Sequence, residues 1–187
     1  MAGDTIRLVQ ITDCHLTADG PAGEWPVDTD ATLAAVIARV RAEAPDAVLA
    51  TGDLSQDGSV ESYRRIKALF ERLAVPVHCL PGNHDVPATL AGTLAGEGIH
   101  VGRRLLHDDW QIVFLDSTVP GEDDGRLAAG ELAALDAALA EHPDRHALVC
   151  LHHNPVAVGG AWRDVVTLEN PGELFAVLDR HTQVRGV

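Results

Sequence analysis

The sequence predicts an α/β fold in which short buried strands alternate with helices, and three observations lead to this prediction. Short runs rich in Val, Ile and Leu and bounded by Gly, Pro or Asp are typical of buried parallel strands. Helical patterns separate the first three of these runs. Polar motifs directly follow four of the runs, and functional groups in α/β folds collect outside the carboxyl ends of the strands. The four motifs are Asp13-Cys14-His15, Gly52-Asp53, Gly82-Asn83-His84-Asp85 and His152-His153.

Hydrophobic periodicity predicts each element in turn. The first helix places Leu33 and Ile37 on one face and ends at Pro45, and the second begins with Ser59 or Gly58 as its cap. The predicted strands are residues 6–11, 47–50, 75–80, 110–115 and 147–151. The predicted helices are residues 28–44, 59–73, 88–95, 131–141 and 171–180, and residues 184–187 look like the start of a further strand.

Composition limits the classes of partner. The 187 residues are 46% hydrophobic and 22% charged, as expected for one globular domain, and the formal net charge is −14. This charge repels nucleic acid and anionic membrane surfaces, so neither is expected as a partner. We find no signal peptide and no apolar run near the roughly 20 residues of a membrane span, so a cytoplasmic location is expected, with three reduced cysteines.

Asp13 and His15 are two positions apart at a strand end. Strand alternation therefore predicts that their side chains share one side and that Cys14 points away. A carboxylate oxygen and an imidazole nitrogen suit Fe, Mn or Zn. Such a pair is weak evidence alone but becomes strong with three further motifs at later strand ends. Taken singly, Gly52-Asp53 could be a turn or helix cap, and Gly82-Asn83 could be a turn.

The four motifs, in this order, resemble the calcineurin-like metallophosphoesterase family over nearly the whole chain. Additional stretches resemble its class III cyclic nucleotide phosphodiesterases, the cyclic AMP phosphodiesterase type of bacteria. The resemblance implies a four-layer α/β/β/α sandwich formed by a single catalytic domain over residues 1–187. The additional stretches are Gly52-Asp53-Leu54-Ser55-Gln56-Asp57-Gly58, Leu115-Asp116-Ser117-Thr118-Val119-Pro120-Gly121, Leu151-His152-His153-Asn154-Pro155, Trp162-Arg163-Asp164 and Leu168-Glu169-Asn170.

The resemblance also implies roles for individual residues. Two divalent ions, Fe, Mn or similar, would activate a bridging hydroxide that hydrolyses 3′,5′-cyclic AMP or a related cyclic nucleotide to the 5′-monophosphate. Asp53 would bridge both ions, and His84 would be the catalytic group that protonates the leaving oxygen or stabilises its charge. Asp85 is expected to accept a hydrogen bond from an imidazole, as carboxylates behind metal-binding histidines do. The implied metal ligands are Asp13, His15, Asp53, Asn83 and His152, and the implied substrate contacts are His15, Asp53, Asn83 and His84.

One departure from the family pattern leaves alternatives open. The family completes its metal site with a later Gly-His-x-His motif, which this sequence does not contain up to Val187. We therefore expect a catalytic domain that is incomplete at its C-terminus and lacks its last strands. The alternatives are another phosphodiesterase or nucleotide pyrophosphate hydrolase of the same superfamily, or a non-catalytic metal-binding fragment.

Overall fold

A computed structural model describes residues 5–20, 27–102, 104–160 and 166–187. The chain divides into two compact units, Ile6–Val101 and a second unit that contains Gly102–Val187. The described residues form five helices and eight strands, and each unit contains one four-stranded sheet. The predicted α/β fold class is confirmed.

The sheet of the first unit is parallel throughout, with strand order β1-β2-β3-β4. Ile11 is paired with Ala50, and Ala50 with Cys79, so the first three strands end at the same edge. The loops that carry the first three polar motifs therefore leave the sheet side by side. The elements are β1 (Leu8–Ile11), α1 (Thr29–Glu43), β2 (Ala47–Thr51), α2 (Val60–Phe70), β3 (Val77–Leu80), α3 (Pro87–Leu94) and β4 (Ile99–His100).

Local sequence explains where the helices of this unit begin and end. The Asp28 carboxylate accepts a hydrogen bond from the backbone N–H of Ala31 and caps α1, which ends at the left-handed residue Ala44. Ser59 caps α2 by accepting from the N–H of Ser62, which decides between the two predicted caps. The core between helices and sheet contains fully buried side chains from each layer, among them Leu16, Ile37, Val48, Ala50, Tyr63, Ile66 and Leu90.

The second unit has a mixed sheet with strand order β5-β6-β7-β8, in which only the β5–β6 pair is antiparallel. Helices α4 and α5 contribute Leu135, Leu139 and Leu174 to its core. The strand expected near residue 184 is present as β8. The elements are β5 (Arg104–His107), β6 (Trp110–Phe114), α4 (Ala129–Glu141), β7 (His146–Cys150), α5 (Pro171–Leu178) and β8 (Val184–Gly186).

Two strands, β4 and β5, have no counterpart among the predicted elements. The first has only two residues, and the second is half-exposed with His and Arg at its ends, so neither gives an apolar run. Within the described ranges, every helix falls short of the length and apolar character that a membrane span requires.

Candidate metal centre

The loops after β1 and β2 carry three predicted ligands in an uncommon backbone conformation. Asp13, His15 and Asp53 have φ angles of 55°, 47° and 49°, in the left-handed region that non-glycine residues rarely adopt. Backbone hydrogen bonds hold the two loops together, from the N–H of Asp13 to the Gly52 carbonyl at 3.1 Å and from that of His15 to the Asp53 carbonyl at 3.0 Å. Backbone strain that surrounding structure maintains in this way is concentrated at functional sites.

The Asp13 and His15 side chains lie near each other, but the predicted strand alternation is not the cause. Strand β1 ends at Ile11, and the positive φ angles place both residues in a loop. Cys14 is buried, and burial raises the pKa of its thiol to about 12, so it stays protonated and unreactive at neutral pH.

The His15 imidazole lies between two carboxylates. Its Nε2 is 3.7 Å from Asp13 Oδ1 and 3.7 Å from Asp53 Oδ2. Asp13 raises the pKa of His15, the Asp53 charge adds to this effect, and burial opposes it. A position that favours a proton between two carboxylates also favours a metal cation there, because the same negative field acts on both.

The loop after β3 brings His84 to the same place. Its backbone N–H donates to Asp53 Oδ1 at 2.9 Å, and its ring lies edge-on to the His15 ring with centroids 5.0 Å apart. Ligand atoms of His15, Asp53 and His84 all lie within 4.8 Å of one another. A Cβ at Gly82 would overlap the Asp53 carboxylate and backbone nitrogen, so this close approach of the two loops requires glycine.

Asn83 lies between Gly82 and His84 in the chain and is half-buried. Imidazole, carboxylate and amide oxygen donors at one sheet edge form a set that fits first-row divalent metals. A ligand atom of His84 lies within 4.8 Å of ligand atoms of His15 and Asp53, which is close enough for His84 to be considered a ligand as well. The division of roles between Asn83 as ligand and His84 as catalyst remains a prediction.

Among the residues that the structure describes, no imidazole donates a hydrogen bond to the Asp85 carboxylate, so that expectation is wrong. Its Oδ2 accepts from the backbone N–H groups of Leu54 and Gly82, and its Oδ1 from the N–H of Ser55 and the hydroxyl of Tyr63, at 2.9–3.2 Å. Burial raises the pKa of this carboxyl, and the four hydrogen bonds oppose that shift. Asp85 therefore joins the loops after β2 and β3, since three of its four donors are backbone N–H groups of those loops and the fourth is the Tyr63 hydroxyl of α2.

His152 belongs to the second unit and follows β7 after one residue. Its ring lies edge-on to that of His153, with centroids 5.1 Å apart. His153 is buried, and its Nε2 lies 3.0 Å from the carbonyl oxygen of Asp123, which can only accept. Its Nδ1 therefore accepts from the Ser117 hydroxyl at 2.7 Å, and His153 supports the loop that carries His152. The role of His152 as a metal ligand stays a prediction.

Gln56 and Tyr63 also support the site, although no sequence pattern indicates it. The Gln56 side chain lies 2.8 Å from Nδ1 of His15, and Tyr63 also accepts a hydrogen bond from the N–H of Val86 at 2.9 Å. Tyr63 lies within the second predicted helix, residues 59–73, and its side chain is fully buried. Gln56 lay inside a motif but three residues beyond the predicted ligand Asp53. The subgroup-like residues Trp162, Arg163 and Asp164 lie outside the described residues.

Comparison with solved structures supports the fold assignment. A dimetal phosphatase from Danio rerio superimposes with a TM-score of 0.73 at 17% identity, covering 96% of this chain and 79% of the other. A purple acid phosphatase from yellow lupin gives a TM-score of 0.65 at 18% identity, covering 96% of this chain and 36% of the other. These likenesses show the metallophosphoesterase type of fold.

Sequence comparison gives the family. The chain is 39% identical to the 3′,5′-cyclic adenosine monophosphate phosphodiesterase CpdA of Pseudomonas aeruginosa, over 97% of this chain and 67% of that protein. It is 36% identical to CpdA of Escherichia coli (strain K12), over 99% of this chain and 69% of that protein. The model of the calcineurin-like phosphoesterase family matches residues 6–177. The chain belongs to the calcineurin-like phosphoesterase family.

Proposed function

We propose that this chain hydrolyses 3′,5′-cyclic AMP to the 5′-monophosphate with the help of two divalent metal ions. The observation that supports this proposal most strongly is the clustering of His15, Asp53 and His84 at one sheet edge. Their ligand atoms all lie within 4.8 Å of one another. The named activity of the CpdA relatives, which match nearly all of this chain, supports the choice of substrate. The reaction breaks the bond between phosphorus and the 3′ oxygen and forms a new one to a water oxygen, while one proton passes to the 3′ oxygen.

The proposed ligands are Asp13, His15, Asp53, Asn83 and His152, and the ions would be Fe, Mn or similar. Bound there, such ions supply an activated water and neutralise phosphate charge. Asp53 would hold the ions through a carboxylate whose Oδ2 faces His15 and whose Oδ1 accepts the His84 backbone N–H. A net charge of −14 would otherwise repel the phosphate diester, so the cations are needed for binding as well as chemistry.

His84 is the proposed catalytic residue. Its backbone is fixed by the bond to Asp53, so its half-buried ring has a defined position beside the proposed substrate contacts His15, Asp53 and Asn83. An imidazolium at that position can donate its proton to the leaving 3′ oxygen. Such positioned acid–base groups contribute roughly 10²–10⁴-fold to a rate.

The proposed partner is therefore a small cyclic nucleotide, with neither nucleic acid nor membrane as a partner, and the proposed location is the cytoplasm. The acidic surface supports this, because it disfavours approach to polyanions at physiological ionic strength.

The test uses the 187-residue chain loaded with Mn²⁺. Cyclic AMP, bis(p-nitrophenyl) phosphate and ATP are offered separately, and products are separated by chromatography. We expect 5′-AMP from cyclic AMP. Cleavage of ATP alone would identify a pyrophosphate hydrolase, and no cleavage of any substrate by metal-loaded protein would identify a non-catalytic metal-binding protein.

His84→Ala separates the catalytic role of His84 from that of a ligand, with His100→Ala as the control. His100 is an exposed histidine on edge strand β4, away from the loops that follow β1, β2 and β3. We expect His84→Ala to keep its metal content by elemental analysis and to lose on the order of 10²-fold in kcat for cyclic AMP. The loss should be smaller for bis(p-nitrophenyl) phosphate, whose leaving group needs no proton. Loss of a metal ion from His84→Ala would make His84 a ligand.

A further inference from the structure

Gln56 lies in the loop after β2 and makes a side-chain contact with His15, 41 residues earlier in the chain. Its Oε1 is 2.8 Å from His15 Nδ1. The backbone on both sides of this contact is fixed. The N–H of Gln56 donates to the Leu16 carbonyl at 2.8 Å, and the N–H of Leu16 donates to the Leu54 carbonyl at 3.1 Å. The amide is thus presented to the imidazole by two loops that are bonded together.

This contact determines which ring nitrogen carries the proton. An amide oxygen can only accept a hydrogen bond, so the neutral His15 ring that faces it carries its proton on Nδ1. The lone pair of Nε2 then points to the side where Asp13 and Asp53 oxygens lie 3.7 Å away. Without an acceptor at Nδ1, those two carboxylates would attract the proton to Nε2 and block that nitrogen as a ligand.

We infer that Gln56 is a positioning residue that holds His15 as the Nδ1–H tautomer and so makes Nε2 available to a metal ion. The inference rests on the metal centre of the proposed function but not on its substrate. The observed side-chain contact of Gln56 is with His15. Gln56 acts through His15, as hydrogen-bond acceptors behind metal-binding histidines do.

The first measurement needs no variant. Nitrogen-15 NMR of the metal-free protein, at a pH above the titration of His15, reports the tautomer of each histidine, and His15→Ala identifies the His15 signals among the ten histidines. We expect Nδ1–H for His15 in the unmodified chain. A resting Nε2–H tautomer would overturn the inference.

The second measurement is Mn²⁺ affinity, followed by calorimetric titration. Gln56→Leu keeps the approximate volume and removes the acceptor, so we expect a 10–100-fold weaker affinity and a shift of His15 towards Nε2–H. Gln56→Glu retains the acceptor at the same length and should restore both the affinity and the tautomer. Gln10→Leu is the matched control, because Gln10 lies on β1 and its amide bonds to Thr51 instead of a histidine.

Each outcome decides the role of Gln56. Unchanged affinity in Gln56→Leu, equal losses in Gln56→Leu and Gln56→Glu, or no Mn²⁺ binding by the unmodified chain would each overturn the inference. If Gln56→Leu does not fold, the tautomer of the unmodified chain and the affinity of Gln56→Glu still decide it. A chain that binds Mn²⁺ and shows the expected tautomer but leaves cyclic AMP intact would refute only the proposed substrate.

Discussion

Asp85→Asn tests whether hydrogen bonding or charge burial determines the contribution of this carboxylate to stability. The substitution preserves shape but replaces one acceptor oxygen by an NH₂ donor. Each Asp85 oxygen accepts two hydrogen bonds, and three of the four donors are backbone N–H groups that cannot reverse. The better orientation of the amide keeps its oxygen towards Leu54 and Gly82 and turns its nitrogen towards Ser55.

The magnitude follows from counting these bonds. The Ser55 N–H is buried and loses its acceptor, which costs about 1–3 kcal/mol, and the two retained backbone bonds lose their charged acceptor, about 1 kcal/mol each. The Tyr63 hydroxyl can reverse and accept from the new NH₂ group. Burial raises the pKa of Asp85, so removing the charge recovers part of the loss. We expect a net decrease of about 2 kcal/mol in the free energy of unfolding.

Urea denaturation of the metal-free protein at pH 7, followed by circular dichroism, measures the difference. Asp28→Asn is the matched control, because Asp28 caps α1 through a single exposed hydrogen bond and Asn is an equally good cap. The control should stay within about 0.5 kcal/mol of the unmodified chain. If Asp85→Asn is as stable as the unmodified chain or more so, the cost of burying the charge outweighs its four hydrogen bonds and our reasoning is wrong.

Three further outcomes are expected. Tyr63→Phe removes a buried hydroxyl with two hydrogen bonds and should lower the free energy of unfolding by about 1–3 kcal/mol in the same urea assay; an unchanged midpoint would show that neither bond contributes. Gly82→Ala pushes its Cβ into Asp53 and should weaken Mn²⁺ binding at least tenfold by calorimetry, whereas retained affinity would mean that the loops can separate without cost. Burial and the stacked ring of His100 lower the pKa of His78 from 6.5 to about 4. The unfolded chain therefore takes up this proton first as the pH falls, and roughly 3 kcal/mol of stability should be lost between about pH 6.5 and pH 4. His78→Leu should show a correspondingly shallower pH dependence of the urea midpoint, and an identical dependence would contradict the buried neutral state.

The family, the α/β class and most elements could be predicted from the sequence because their signals are local. Strand β2 can be predicted from a short apolar run, and α2 from a helical period that follows a capping residue. Both signals lie in consecutive residues. The polar motifs after β1, β2 and β3 then indicated a metal site, because parallel strands of one sheet bring their carboxyl ends to one edge, whereas the fourth motif follows β7 in the other sheet. Strand β4 could not be predicted, because two residues are too few to show a period. It forms by pairing with β3.

The sequence by itself determined that Asp13, His15, Asp53 and His84 meet at one sheet edge, since strand register in a buried parallel sheet leaves few alternatives. Only the tertiary structure decided how these groups are held. Asp13 and His15 come together through left-handed loop residues, and Asp85 binds backbone donors where an imidazole was expected. The Gln56 side chain contacts His15, which lies 41 residues earlier in the chain. A hydrogen bond between two loops depends on where both loops lie in space. The local sequence pattern of neither loop contains this information.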